Sequence, residues 1–89
     1  MKEPYLEVTY RQGRAIAAYL YLPRRAGDRS YRTSRPVAGL VVDFTRAGKS
    51  IGIEITAPAR LSLAALNRIL RGLGFTPFTR ADLAPLRAA

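Results

Sequence analysis

The sequence predicts an α+β fold, an antiparallel β-meander of four to five strands followed by one C-terminal helix packed on one sheet face and a short terminal helical turn. Residues 1–57 alternate apolar and polar side chains as strands do, and residues 58–89 carry leucines at helical spacing. Eighty-nine residues are the length of a single domain with a thin core. We therefore expect one domain that gains stability from forming a homo-oligomer.

The first two strands are predicted over residues 5–10 and 15–22, joined by a turn that contains Gly13. A two-residue turn would pair Leu6 and Val8 with Tyr19 and Ala17. A three-residue turn with a glycine bulge would place them beside Ala18 and Ile16. We favour the bulged turn because it forms one continuous aliphatic face, made of Ile16, Ala18, Leu20 and Leu22.

A charged segment follows Pro23, which ends the second strand. Residues 24–28 are predicted to form a polar loop, and residues 29–35 a short strand before Pro36. Charged side chains discourage unwanted pairing at the edge of a sheet. We therefore place this strand at an edge.

The clearest element is a hairpin between residues 37–45 and 50–56. If paired residue numbers sum to 95, six large apolar side chains share one face. They are Leu40, Val42, Phe44, Ile51, Ile53 and Ile55. The opposite face then carries Val41, Asp43, Gly52 and Glu54.

A helix is predicted to begin after Ser62, a good N-cap, and to end near Gly74, which suits a left-handed C-cap. Its apolar stripe should cover the sheet. The stripe consists of Leu63, Leu66, Ile69, Leu70 and Leu73. Asn67, beside the stripe, either anchors a loop backbone or is an ordinary half-exposed residue. A second, shorter helix is expected from Thr79, capped by Asp82 and broken at Pro85.

The composition excludes several function classes. The chain has no cysteine and no histidine, which rules out disulfides, thiol nucleophiles, thiolate zinc sites and triads that need an imidazole base. We expect no enzyme activity, no cofactor and no metal. The first residues carry an acid and a proline where a signal peptide is apolar, and the longest apolar run is far too short to span a bilayer. The sequence thus favours a cytoplasmic protein that does not enter a membrane.

The net charge of +9 indicates an anionic partner or a merely solvated surface. The charge is densest in the segment 23–36. Arginine grips phosphates and a tyrosine ring can stack on a base, so this segment is a candidate site for nucleic acid or another partner. Its candidate residues are Arg24, Arg25, Arg29, Tyr31, Arg32 and Arg35. A charged edge strand without a ligand is the alternative.

Two further side-chain groups are candidates. Tyr19 and Tyr21 project from the same side of the second strand and are predicted to form a partner interface, with a stacking platform as the alternative. Asp43 and Glu54 lie diagonally on one face of the hairpin and could share acid–base work or a cation. Separate pairing with arginines, or exposure to water, is the simpler interpretation of these carboxylates.

The stretches YLYL, GLVVDF and IGIEI, separated by a glycine turn, resemble the bacterial family named domain of unknown function twenty-two eighty-three. The resemblance covers about Tyr5 to Ala57. It implies a compact sheet-and-helix protein without assigned activity, some of whose members look like antitoxin-like partners of small neighbouring proteins.

Together these patterns favour a non-enzymatic interaction module, antitoxin-like or a self-associating adaptor, that binds itself or another protein. A nucleic-acid-binding protein that uses Arg24 to Arg35 is the first alternative. A carboxylate-dependent enzyme at Asp43 and Glu54 is the second.

Overall fold

A computed structural model describes residues 3–86 as a five-stranded antiparallel sheet with one helix against one face, which confirms the predicted fold class. The strands are β1 (Tyr5–Arg11), β2 (Arg14–Tyr21), β3 (Arg32–Val37), β4 (Leu40–Phe44) and β5 (Ser50–Ile55). The helix α1 spans Leu63–Gly72, between 3-10 turns at Pro58–Arg60 and Ala81–Leu86.

The strand order is β1-β2-β5-β4-β3, which departs from a simple meander at one step. β2 pairs with β5 instead of β3, through pairs such as Leu20–Ile53 and Ala18–Ile55. This order puts the largely buried β5 at the centre of the sheet, between β2 and β4. The arginine-bearing β3 lies at an edge, as predicted, but it spans Arg32–Val37 instead of residues 29–35. Pro36 does not end the strand, because an edge strand tolerates a residue that has no N–H group to donate.

The first hairpin corrects the predicted turn. The turn has two residues, Gln12 and Gly13, both with positive φ, and the extra residue is instead Ile16 in β2. Leu6 therefore pairs with Leu20 and Val8 with Ala18, not with Ala18 and Ile16. The bulge turns Ile16 away from the aliphatic face and leaves it 46% exposed.

The central hairpin confirms two of the three predicted pairs, Leu40–Ile55 and Val42–Ile53. The third is wrong, because a register shift after Asp43 pairs Phe44 with Ser50. Phe44 still packs against the core, whereas Ile51 is buried outside the core cluster.

Helix α1 begins and ends where the sequence predicts. The Ser62 hydroxyl accepts a hydrogen bond from the Ala65 amide (3.2 Å). At the other end, Gly74 has φ +86°, and the Phe75 amide donates to the Leu70 carbonyl in a Schellman arrangement. Leu66 and Leu70 are fully buried against the sheet.

The C-terminal segment is tied back to the helix and the sheet. Asn67 donates to the Phe78 carbonyl (2.9 Å) and accepts from the Phe78 amide (2.7 Å), which settles its two interpretations in favour of the anchor. Thr79 and Asp82 cap the last 3-10 turn reciprocally, which confirms the predicted short terminal helical turn, although this turn continues through Pro85 to Leu86 instead of breaking at the proline. Leu83 and Leu86 join the core cluster.

Candidate functional site

The face of the sheet opposite α1 carries a group of aromatic and charged side chains. The core residues of β2, β4 and β5 point toward the helix, so the residues that alternate with them point the other way. We call this group the tyrosine face. It consists of Tyr5, Glu7, Tyr19, Tyr21 and Arg24. Tyr5 is 56% exposed there, so the group is open to a partner.

The three tyrosine rings of this face are in contact in a row. The ring centroids of Tyr19 and Tyr21 are 4.7 Å apart in an edge-to-face arrangement, and those of Tyr5 and Tyr21 are 5.7 Å apart. Both distances fall in the favourable range for aromatic pairs. The Tyr21 hydroxyl also donates to the Glu7 carboxylate (3.3 Å). The three rings, with the Tyr19 and Tyr21 hydroxyls hydrogen-bonded, form a surface that is apolar across the rings and polar at their edges.

Tyr19 lies across the sheet because Gly52 leaves room for it. Gly52 is on β5, next to β2, and a Cβ atom placed on it would overlap the Tyr19 ring. The hydroxyl thereby reaches β4 and donates to Asp43 Oδ2 at 2.6 Å. One side chain therefore connects three adjacent strands.

Arg24 reinforces this arrangement from the loop after β2. Its guanidinium donates to the Ile51 carbonyl and to the Tyr19 hydroxyl (3.5 Å), and its Cζ lies 5.0 Å from the Tyr21 ring centroid. A guanidinium over an aromatic ring is a cation–π contact. Arg24 thus belongs to the tyrosine face and is half-buried there.

The environment keeps the Tyr19 hydroxyl protonated. Burial, followed by the hydrogen bond to Asp43, raises the pKa of Tyr19 to about 12, although the Arg24 guanidinium partly opposes the shift. Partial burial and the Glu7 carboxylate raise the pKa of Tyr21 as well. At neutral pH both side chains act as neutral hydrogen-bond donors, so neither is suited to act as a general base.

An alkaline titration should reveal Tyr19 as a late component. Ultraviolet absorbance of the tyrosinate should show one group ionising near pH 12, and Tyr19→Phe should remove it. Because ionisation disfavours the folded state, the stability from this group should be intact below about pH 10 and fall between about pH 10 and 12.

The variant Asp43→Asn should lower the pKa of Tyr19 only partly, because burial is the larger cause and remains. If the pKa of Tyr19 returned to 10.0 in this variant, burial would not be the larger cause of the shift. If the wild-type titration showed no tyrosine ionising near pH 12, the contacts described for Tyr19 would be wrong.

Asp43 and Glu54, the carboxylates of the alternative enzyme hypothesis, lie on the same face but in different surroundings. Asp43 pairs with Gly52 and is half-buried with its carboxylate on Tyr19, whereas Glu54 is exposed opposite Val41. Asp43 therefore serves to position Tyr19. Within residues 3–86, no cluster of three or more His, Cys, Asp or Glu side chains could hold a metal ion.

The predicted arginine segment is divided between surfaces. Arg24 lies on the tyrosine face, whereas Arg32 pairs with Phe44 on the helix side and its Cζ lies 4.2 Å from that ring centroid. Tyr31 is 62% exposed and contacts a different cation, Arg46, 5.5 Å from its ring centroid. The remaining candidates, Arg25, Arg29 and Arg35, are exposed.

The sequence pattern indicates Tyr19 and Tyr21 as one candidate pair and Arg24 as part of a different candidate site, but it does not indicate that Gly52 and Arg24 hold the two tyrosines. The predicted register places Gly52 opposite Asp43, and a position without a side chain beside a carboxylate is the signal that an aromatic side chain can cross the sheet there. The contribution of Arg24 to the same face depends on the β2–β5 pairing, which the local pattern does not show.

Comparison with models of known protein families, with curated proteins and with solved structures gave no match for this chain. The family resemblance described above, and the antitoxin-like role that it implies, therefore remain predictions. Within residues 3–86, none of the helices has the length and hydrophobicity that crossing a bilayer requires.

Proposed function

We propose that this protein is a non-enzymatic interaction module that associates with a second copy of itself through the tyrosine face. The observation that carries this proposal is the connected row of Tyr5, Tyr21 and Tyr19 on the sheet face that α1 leaves open. Tyrosine is enriched in protein interfaces because its ring contributes apolar contact while its hydroxyl stays hydrogen-bonded.

The charges of this face favour a second copy as the occupant. Half of the six acidic residues, namely Glu7, Asp43 and Glu54, lie on this side of the sheet in a chain of net charge +9. These carboxylates lower the positive charge of this face and so reduce the repulsion between two copies that meet there. It also carries the Arg24 guanidinium, so two copies related by a twofold axis can bring Arg24 of one near Glu7 or Glu54 of the other.

The size of the sheet face limits the affinity that we expect for the dimer. Five strands spaced about 4.8 Å apart span roughly 24 Å, and strands of five to eight residues are about 17–26 Å long. Such a face offers roughly 400–600 Å² to a partner, less than the ~800 Å² per partner of a standard stable interface. We therefore expect a reversible dimer with a micromolar dissociation constant.

Sedimentation velocity over a range of protein concentrations tests this proposal. The wild-type chain should shift from monomer to dimer in the micromolar range. A chain that stays monomeric up to roughly millimolar concentration would contradict the proposal.

A matched pair of variants assigns the dimer to the tyrosine face. Tyr5→Ala should weaken dimerisation about tenfold, because tyrosine is enriched among the few interface residues whose truncation costs more than ~1 kcal/mol. The control, Tyr31→Ala, removes a similarly exposed ring (62% against 56%) beside β3, at the sheet edge opposite β1. It should leave the dimer unchanged. Equal effects of the two variants would argue against this face.

A further inference from the structure

The charge distribution of the helix side differs from that of the tyrosine face. β3 and α1 contain four arginines and no acidic residue, and Arg80 follows α1 without an acid between them. The nearest acid along the chain is Asp82, whose carboxylate accepts hydrogen bonds from Thr79. We call the four arginines that lie on the helix side of the sheet or along α1 and the segment after it the arginine track. It consists of Arg32, Arg68, Arg71 and Arg80. Positive charge without intervening carboxylates is the arrangement that attracts a polyanion.

Two grooves meet along this track. One runs beside α1, has a volume of about 660 Å³ and is lined by Arg68, Arg71 and Arg80 together with Asn67. The other lies between α1 and β3, has a volume of about 400 Å³ and shares Arg68 with the first. Arg68 therefore lies where the arginine-lined groove meets the second groove, which is largely apolar.

The second groove is largely apolar. Phe44, Ile69 and Leu73 line it, and Gly72 lies at its wall with open space beside its Cα. At the β3 edge the Arg32 guanidinium stacks on the Phe44 ring. The volume lies within the range of small-molecule pockets, about 300–1,000 Å³, so the groove can take a flat ring the size of a nucleobase.

We infer that the arginine track binds single-stranded nucleic acid. The arginines would hold successive phosphates, and an unpaired base would enter the apolar groove between Arg32 and Arg68. A duplex presents the phosphates but keeps its bases stacked inside, so it would use only part of this surface. The inference is independent of the proposed self-association, which uses the opposite face of the sheet.

Fluorescence anisotropy with labelled oligonucleotides tests the inference. The probes are single-stranded DNA and RNA of about 12 nucleotides and a DNA duplex of the same length, measured between about 50 and 200 mM salt. Single strands should bind more tightly than the duplex, and binding should weaken steeply with salt. Failure of both single strands to bind at the lower salt concentration would overturn the inference, as would tighter binding of the duplex.

A charge-matched pair of double variants separates a site from diffuse attraction. Arg68→Ala with Arg71→Ala removes two cations of the track. It should lower the affinity about tenfold and reduce the salt slope by about 1.4, or 0.7 for each lost phosphate contact. Arg25→Ala with Arg29→Ala removes the same charge from the exposed loop before β3 and should change the affinity less than about threefold. Equal losses would show attraction to net charge alone and overturn the inference.

A third variant tests the apolar groove without changing charge. Gly72→Leu places a side chain where the groove is open, and this position has neither a positive φ nor a close neighbour, so the fold should tolerate it. Single strands should bind about tenfold more weakly while the salt slope stays unchanged. Unchanged affinity in a folded Gly72→Leu protein would exclude the base from this groove.

Discussion

Replacing Leu66 with alanine is expected to lower the free energy of unfolding by about 3 kcal/mol. Leu66 is fully buried between α1 and the sheet, so the substitution removes its packing and leaves a cavity that the core can only partly close. A chain of 89 residues has a total stability of roughly 4–13 kcal/mol, so this loss is a large share of it. Urea unfolding followed by circular dichroism measures the change.

The control for this prediction is Leu63→Ala on the same helix. Leu63 is only partly buried, so its truncation should cost about 1 kcal/mol. If the two variants lost the same stability, the helix would not present the face described here to the sheet.

Gly52→Ala is expected to lower the free energy of unfolding by about 2 kcal/mol and to displace Tyr19. The new methyl group would occupy the space of the Tyr19 ring, so the ring must swing away and release Asp43. Asp43 would then lose a charge-assisted hydrogen bond, and Tyr19 would lose the burial that raises its pKa. Denaturant unfolding and the alkaline tyrosine titration together measure the change, since the late component near pH 12 should move toward 10.0.

Two comparisons isolate this effect. In a Tyr19→Ala background the added methyl group has room, so Gly52→Ala should change the free energy of unfolding little. A double-mutant cycle of the two substitutions then gives the coupling free energy between Tyr19 and Gly52. Gly72→Ala serves as the matched glycine control and should be neutral or slightly stabilising, because it lies in α1 with open space around it. If the effects of the two substitutions on the free energy of unfolding were additive, Tyr19 would not rest on Gly52.

The elements with local signals could be predicted from sequence. Alternation within one hairpin gave the Leu40–Ile55 and Val42–Ile53 pairs, and the capping residue Ser62 gave the start of α1. The errors occur where a strand carries one extra residue. The bulges that expose Ile16 and pair Phe44 with Ser50 leave the apolar pattern intact, because each merely turns one side chain out of register.

The candidate site depends more on contacts that sequence spacing does not encode. Tyr19 and Tyr21 were predicted to share a side because alternation along β2 fixes it. Their neighbours Gly52 and Arg24 join them only because β5, rather than β3, pairs with β2. Similarly, Arg68 and Arg71 were not singled out, since two arginines on a helix show no cleft until α1 lies beside β3.

The pairing of β2 with β5 also bears on how the chain reaches its native state. β1 with β2, and β3 with β4 and β5, are two locally connected antiparallel units that each need only short loops to close. Their union along β2 and β5 requires a much longer loop closure and buries Leu20 against Ile53 only when it is complete. We expect the edges of β2 and β5 to stay unpaired until the two units join, so aggregation in a refolding experiment should be greatest before that step.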